Sequence, residues 1–112
     1  MLGHDRVRLR HMIDAAEDVQ RFVAGRQRSE LDTDRMLLFA LVRAVEIIGE
    51  AASKVSDETR SVDAGIPWKA IVVMRNRLIH AYFDVDAEIL WVAATMEIPA
   101  LLIQLKALAE TP

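Results

Sequence analysis

The segment from Met36 to Ile48 constrains the fold more than any other part of this sequence. Within it only Arg43 and Glu46 are polar, so a helix formed here is apolar around most of its circumference. A chain of 112 residues has few other helices with which to cover such a surface, and we expect part of it to face a second copy of the chain. The alternative is a central helix that the chain's own neighbouring helices wrap completely.

The rest of the chain carries the three-and-four spacing of apolar residues that is typical of amphipathic helices. The first helix is expected from Asp5 to Ala24, on an apolar stripe formed by Leu9, Met12, Ile13, Ala16, Val19 and Val23. The second is expected from a cap at Asp32 or Thr33 to about Val55.

The second half of the chain continues the helical pattern. Residues 56–65 are polar and are expected to hold a short helical turn, and Pro67 then opens a third long helix that reaches about His80. The last helix follows a cap at Asp84 or Asp86 and runs to Ala109, with a kink at the internal Pro99. These patterns predict an all-α fold: residues 1–112 form a single domain, an antiparallel bundle of four long helices with a short fifth.

Charge and composition exclude several classes of function. The 14 Lys and Arg residues are outnumbered by 17 Asp and Glu, so a general nucleic-acid coating protein is not expected and any RNA contact must be local. Arg6, Arg8 and Arg10 form one small basic cluster that could guide RNA phosphates. The absence of cysteine excludes disulfides and thiolate metal sites.

Location and cofactors follow from simple features of the sequence. The longest uninterrupted apolar run, Met36 to Val42, is far shorter than the roughly 20 residues that span a bilayer. The first residues lack the apolar core of a signal peptide, so we expect a cytoplasmic protein. His4 and His11 share one helix face but lack an evident third ligand, and we expect neither a metal site nor a cofactor.

Arg75 departs from ordinary bundle patterning, because an ideal helix places it inside the apolar arc between Ile71 and Ile79. A guanidinium group keeps its charge and is expensive to bury without a partner. Glu46, one of the two polar residues of the apolar segment, is the candidate ion-pair partner. A buried Arg75–Glu46 pair that only fixes the helix register is one interpretation of the pattern.

A second interpretation is a catalytic site built from Arg75, Asn76 and His80. Asn76 and His80 are four residues apart and share a helix face, whereas Arg75 and His80 are roughly 140° apart and 7–8 Å along the axis. Either the helix ends before His80, or two copies of these residues meet across the two-fold axis of a homodimer.

Histidine titrates near neutral pH and can move a proton, and arginine stabilises charge on a phosphoryl group. Together they suffice for metal-free RNA cleavage by the adjacent 2′-hydroxyl, which yields a 2′,3′-cyclic phosphate.

The motif and its flanks resemble a known family. Residues 75–82, Arg-Asn-Arg-Leu-Ile-His-Ala-Tyr, are similar to the Arg-x4-His-x-Tyr signature of HepT-like toxins in the HEPN superfamily. The flanking segments 66–69 and 82–86 fit as well, and residues 46–51 resemble the second-helix pattern of the family. The resemblance covers nearly the whole chain.

The resemblance implies a ribonuclease toxin of a type II toxin–antitoxin pair, all-α and homodimeric, with the paired motifs at the dimer cleft. Arg75 and His80 would be catalytic, with Asn76 as a supporting polar neighbour. The implied partner is a nucleotidyltransferase antitoxin of the MntA type, which transfers AMP from ATP to the motif tyrosine, here Tyr82. The alternative is a non-catalytic HEPN module that binds a nucleotide or docks a nucleotidyltransferase, which an Arg75–Glu46 ion pair would favour.

Overall fold

The structure, a computed structural model, describes residues 1–80 and 85–112, with residues 79 and 80 described by their backbone. The α-helices in chain order are α1 (Gly3–Val23), α2 (Arg35–Ser53), α3 (Asp57–Val62), α4 (Trp68–His80), α5 (Ala87–Val92) and α6 (Ile98–Ala109). A 3₁₀ turn (Arg28–Asp32) precedes α2, and a π turn (Ala93–Glu97) joins α5 to α6 in one continuous helix. The described residues include no strand. The predicted all-α fold, with four long helices and a short one, is confirmed.

Helix α2 begins later than the sequence pattern predicted. Its cap is Asp34, whose side chain accepts a hydrogen bond from the Leu37 N–H at 3.1 Å. The predicted caps, Asp32 and Thr33, were wrong because the preceding residues form the 3₁₀ turn. The carbonyl of Glu30 in that turn accepts hydrogen bonds from the N–H groups of both Thr33 and Asp34. The N–H groups of Thr33 and Asp34 thus belong to the 3₁₀ turn, and α2 begins after them.

A buried carboxylate ties the start of α1 to the start of α3. The side chain of Asp5 is fully buried and accepts hydrogen bonds from the Ser56 N–H at 2.9 Å, the Ser56 hydroxyl at 2.6 Å and the Thr59 hydroxyl at 2.6 Å. Ser56 also caps α3 by accepting from the Thr59 N–H. Burial raises the pKa of Asp5, but these hydrogen bonds outweigh it and hold the pKa below its ordinary value.

The helix distortion expected at Pro99 takes the form of the π turn that immediately precedes it. The N–H of Ile98 donates to the carbonyl of Ala93, five residues back, and the Thr95 hydroxyl donates to the carbonyl of Trp91 at 2.7 Å. A proline has no N–H and crowds the preceding turn, so the wider turn accommodates it without ending the helix.

Helix α2 lies at the centre of the bundle. It packs against α1, α4, α5 and the 3₁₀ turn, and Leu41, Val45, Ile48 and Ala52 are buried along it. The alternative of a central wrapped helix therefore accounts for most of α2. Two large apolar side chains near its start remain in solvent: Met36 is 83% exposed and Phe39 is 55% exposed.

The continuous helix from Ala87 to Ala109 is long and apolar enough, by length and composition, to cross a membrane. It contains no long uninterrupted apolar run, because Glu88 and Glu97 interrupt the pattern. The core helix of a globular protein passes the same test. Leu101, Leu105 and Leu108 are buried on its inner face, and α6 packs against α1.

Candidate functional site

Helix α4 carries the Arg75–His80 motif and is fixed at both ends by buried side chains. Trp68 at its start is buried and donates its indole N–H to the carbonyl of Asp63 at 3.3 Å, and Leu78 is buried near its end. Pro67 directly precedes the helix, and its carbonyl accepts from the Ile71 N–H. The helix packs against α2.

The contact between α2 and α4 is closest where Gly49 meets Arg75. A β-carbon added to Gly49 would lie 2.2 Å from the Arg75 β-carbon and 2.7 Å from its γ-carbon, and 3.2 Å from the Ile71 carbonyl oxygen. These distances leave no room for a side chain. The sequence analysis missed Gly49 as a functional residue, although a glycine inside an otherwise apolar helix is a signal of close backbone approach.

Arg75 is half-buried, and its Nε atom is inaccessible to solvent and has no hydrogen-bond partner among the described residues. The expected ion pair with Glu46 is not formed, although both residues lie in the described part of the chain. The Glu46 carboxylate instead lies 3.8 Å from Nη1 of Arg43, one turn earlier on α2. A half-buried guanidinium that no carboxylate of the described residues pairs with is suited to bind an anion.

The other motif residues follow Arg75 along α4. Asn76 is exposed, and the helix continues without a break to the backbone of His80. Of the two arrangements expected from the spacing, a helix that ends before His80 is therefore wrong. On this continuous helix, positions 75 and 80 are about 140° apart. The side chain of His80 and the whole of Tyr82 lie outside what the structure describes.

An open groove of about 250 Å³ lies beside the exposed end of α2, and Leu38, Phe39, Val42, Glu46 and Val85 line it. Its walls are apolar except for Glu46, and Val85 is the first described residue after the motif. Among the described side chains, no three of the His, Cys, Asp and Glu type cluster closely enough to ligate one metal ion.

Comparison with known proteins places the chain in a family. Residues 12–108 match the family model described as Ribonuclease HepT-like. A probable ribonuclease HepT of Thermococcus cleftensis is 36% identical over 83% of this chain and 84% of its own length. A candidate RNase of Caldanaerobacter subterraneus subsp. tengcongensis is 39% identical over 88% of both chains.

A candidate RNase of Methanocaldococcus jannaschii is 35% identical over 79% of this chain and 81% of its own length. None of the solved structures gives a significant match to the chain. The family model covers most of the sequence, and the similarity to these relatives extends over most of their length as well. The chain therefore belongs to the HepT-like ribonuclease family.

Proposed function

We propose that this protein is a metal-independent endoribonuclease that acts as a homodimer, with Arg75, Asn76 and His80 of both protomers at one cleft. The observation that carries the proposal is the burial of Arg75 without a carboxylate partner. The chain belongs to a ribonuclease family, and its Arg75 is half-buried against Gly49 with no carboxylate partner among the described residues. A preorganised guanidinium of this kind stabilises the charge that develops on a phosphate in the transition state.

The chemistry requires a base, an acid and a charge stabiliser. His80 removes the proton from the ribose 2′-hydroxyl, and the resulting oxygen attacks the adjacent phosphorus. The bond to the 5′-oxygen of the next nucleotide breaks, and that oxygen takes a proton from water to leave as a 5′-hydroxyl. The other product ends in a 2′,3′-cyclic phosphate. Arg75 neutralises the pentacoordinate phosphate, and the exposed Asn76 amide orients the reacting groups.

A homodimer can bring together an arginine and a histidine that lie on different sides of one helix. Because α4 is continuous through His80, positions 75 and 80 are about 140° apart around the helix axis. One protomer's Arg75 and its partner's His80 can meet only if two copies of α4 face each other across a two-fold axis. The exposed Met36 and Phe39 on α2 offer apolar surface for such an interface.

The biological role in the proposal is that of a cytoplasmic toxin in a type II toxin–antitoxin pair. Its antitoxin is a nucleotidyltransferase of the MntA type that transfers AMP from ATP to Tyr82. Each AMP adds bulk and negative charge two residues from His80, where it repels the phosphate of an RNA substrate. The alternative of a non-catalytic docking module drew its support from an Arg75–Glu46 ion pair. That pair is not present between these two described residues.

The test is cleavage of a labelled RNA in EDTA by protein purified without its antitoxin. We expect cyclic-phosphate and 5′-hydroxyl ends, and a rate at least about 100-fold lower for His80→Ala, in keeping with the loss of a general base. His4→Ala, a change at an exposed histidine of α1, serves as the matched control and keeps the wild-type rate. An equal rate for His80→Ala and His4→Ala contradicts the proposal, as does a wild-type dimer that cleaves no RNA.

A further inference from the structure

A groove of about 250 Å³ lies between α1 and α2, and its polar lining residues are Arg8, His11, Arg43, Glu50 and Lys54. We call this surface the basic groove. Three of its side chains are cationic and only Glu50 is anionic, in a chain whose net charge is −3. The positive charge is therefore concentrated locally, as expected for a surface that contacts a polyanion.

The cations of the basic groove are only loosely paired within the protein. Arg8 has neither an ion pair nor a hydrogen bond from its guanidinium among the described residues. Nη1 of Arg43 is 3.8 Å from Glu46, and Nζ of Lys54 is 3.6 Å from Glu50. Charge-assisted hydrogen bonds are shorter, at about 2.7–2.9 Å. These groups can therefore bind an external anion without first breaking a strong internal contact.

Two arginines outside the basic groove, Arg28 and Arg6, donate hydrogen bonds within the protein. Arg28 donates to Glu88 at 2.9 Å and to Asp32 at 3.0 Å, and it joins the 3₁₀ turn to α5. Arg6 donates to the carbonyls of Ala109 at 3.4 Å and Thr111 at 3.1 Å. The predicted Arg6–Arg8–Arg10 cluster is therefore divided, because alternate residues of a helix point in different directions. Only Arg8 of the three lines the basic groove.

The basic groove and the Gly49–Arg75 contact lie on two sides of the exposed face of α2. Arg43 lies on the exposed face of α2, with the basic groove on one side of it. Gly49, which packs against Arg75, lies about 120° around α2 on the other side. The two surfaces are separated by the width of one helix, about 10 Å. A few nucleotides of an extended strand can cross that distance.

We propose that the basic groove binds backbone phosphates of the single-stranded RNA substrate, on one side of the phosphate that is cleaved near Arg75. This inference rests on the proposed ribonuclease function and adds to it a substrate path across α2, with Arg43 midway. Such contacts carry little sequence information and set the position and direction of the strand. They also make binding salt-dependent through counterion release.

The experiment compares two variants that remove the same charge. The groove variant is Arg8→Gln with Lys54→Gln. The control variant is Arg21→Gln with Lys106→Gln, at residues paired with Asp18 and Glu17 away from the groove. All four are surface side chains, so each variant is expected to keep a stability close to that of the wild type. Thermal unfolding of each variant checks this, and Arg8→Lys with Lys54→Arg is a charge-preserving rescue.

Binding is measured with an oligonucleotide of about 12 residues, within the site sizes of single-strand-binding proteins. Its riboses are 2′-O-methylated, so that it cannot be cleaved. We expect the groove variant to flatten the slope of log Kobs against log salt by about 1.4, or about 0.7 for each lost phosphate contact. The control and rescue variants keep the wild-type slope. A groove variant with the same slope as the control overturns the inference.

Cleavage separates this inference from the proposed function. A dinucleotide is too short to reach the basic groove, so the groove variant should cleave it with the wild-type kcat/KM. On a longer RNA we expect its kcat/KM to fall about tenfold, as when about 1.4 kcal/mol of binding is lost. If the wild type cleaves neither RNA, the proposed function fails while the salt slope still reports on the groove. If it cleaves both and the groove variant matches the control, only the substrate path is wrong.

Discussion

Gly49 and Arg75 are in direct contact, and the absence of a side chain at Gly49 lets the backbone of α2 approach the stem of Arg75. A β-carbon at position 49 would lie 2.2 Å from the Arg75 β-carbon, far inside van der Waals contact. The conflicting atom belongs to the fixed base of the arginine side chain, so rotation about its bonds cannot relieve the clash. Gly49 therefore determines how closely α4, which carries the motif, packs against α2.

Gly49→Ala is expected to lower the free energy of unfolding by about 1–3 kcal/mol, because overpacking forces the two helices apart. The displaced Arg75 should also lower kcat more than it raises KM, since its contribution is to the transition state. Thermal unfolding and cleavage kinetics measure the two effects. Gly3→Ala is the matched control, because nothing lies within 4 Å of a β-carbon there. If Gly49→Ala and Gly3→Ala have the same stability and the same kinetics, the contact between Gly49 and Arg75 does not position Arg75.

Asp5→Asn is expected to lower the free energy of unfolding by about 2 kcal/mol or more. The change weakens hydrogen bonds to a buried charge and disturbs the Ser56 and Thr59 hydroxyl groups that now donate to it. Urea unfolding at neutral pH measures the loss. Asp14→Asn, at an exposed carboxylate of the same helix, should change stability by less than about 0.5 kcal/mol.

The same carboxylate predicts a pH dependence of stability. The pKa of Asp5 in the folded protein lies below its ordinary value of about 3.9, because the hydrogen bonds outweigh burial. Its stabilisation is thus fully present above about pH 4 and is lost as the pH falls through the lower folded value. Unfolding curves between neutral and acid pH should show this loss in the wild type. They should show less of it in Asp5→Asn, and identical acid profiles would contradict this role of Asp5.

The sequence predicted the helices well where the determinants are local. Asp86 was expected as one of two possible caps of the last helix, and its side chain accepts from the N–H groups of Glu88 and Ile89. Of the apolar stripe predicted for α1, all residues are buried except Val23, which is half-buried. Such features depend on residues within one or two turns, which a single sequence displays directly.

The sequence was less informative where distant segments meet. Asp5 has a polar side chain and yet is fully buried, because its partners at positions 56 and 59 lie more than 50 residues away. The pattern placed Arg75 in the apolar arc correctly but assigned it Glu46 as a partner. In the structure, the Glu46 carboxylate lies 3.8 Å from the nearer Arg43. Pairing between helices depends on their relative height and rotation, which periodicity within each helix does not specify.

The proposed function predicts that Tyr82→Phe abolishes modification by the proposed nucleotidyltransferase antitoxin while RNA cleavage persists. Tyr82 is the only tyrosine in the chain, so loss of its hydroxyl removes the single acceptor of that kind. Intact mass after incubation with ATP and the nucleotidyltransferase should show AMP additions on the wild type and none on the variant. In cells, the variant toxin should resist neutralisation by a co-expressed antitoxin. AMP additions that persist on Tyr82→Phe would place the modification on another side chain.

Mixing two inactive variants tests whether the site is shared between protomers. The two-fold axis gives the cleft two Arg75–His80 sites, and in a heterodimer of Arg75→Ala and His80→Ala one of them pairs the intact Arg75 of the second variant with the intact His80 of the first. Random exchange makes about half of the dimers mixed, and each restores one of two sites, so up to about a quarter of wild-type activity should return.

If Arg75 and His80 acted within one chain, every protomer in the mixture would lack one of them and no activity would return. The control mixes Arg75→Ala with a protein carrying both substitutions, which leaves no intact pair in any arrangement. Light scattering of each sample confirms the dimers that the argument requires. Recovery in the first mixture alone is therefore the result expected of a composite site, since α4 is continuous and holds positions 75 and 80 about 140° apart.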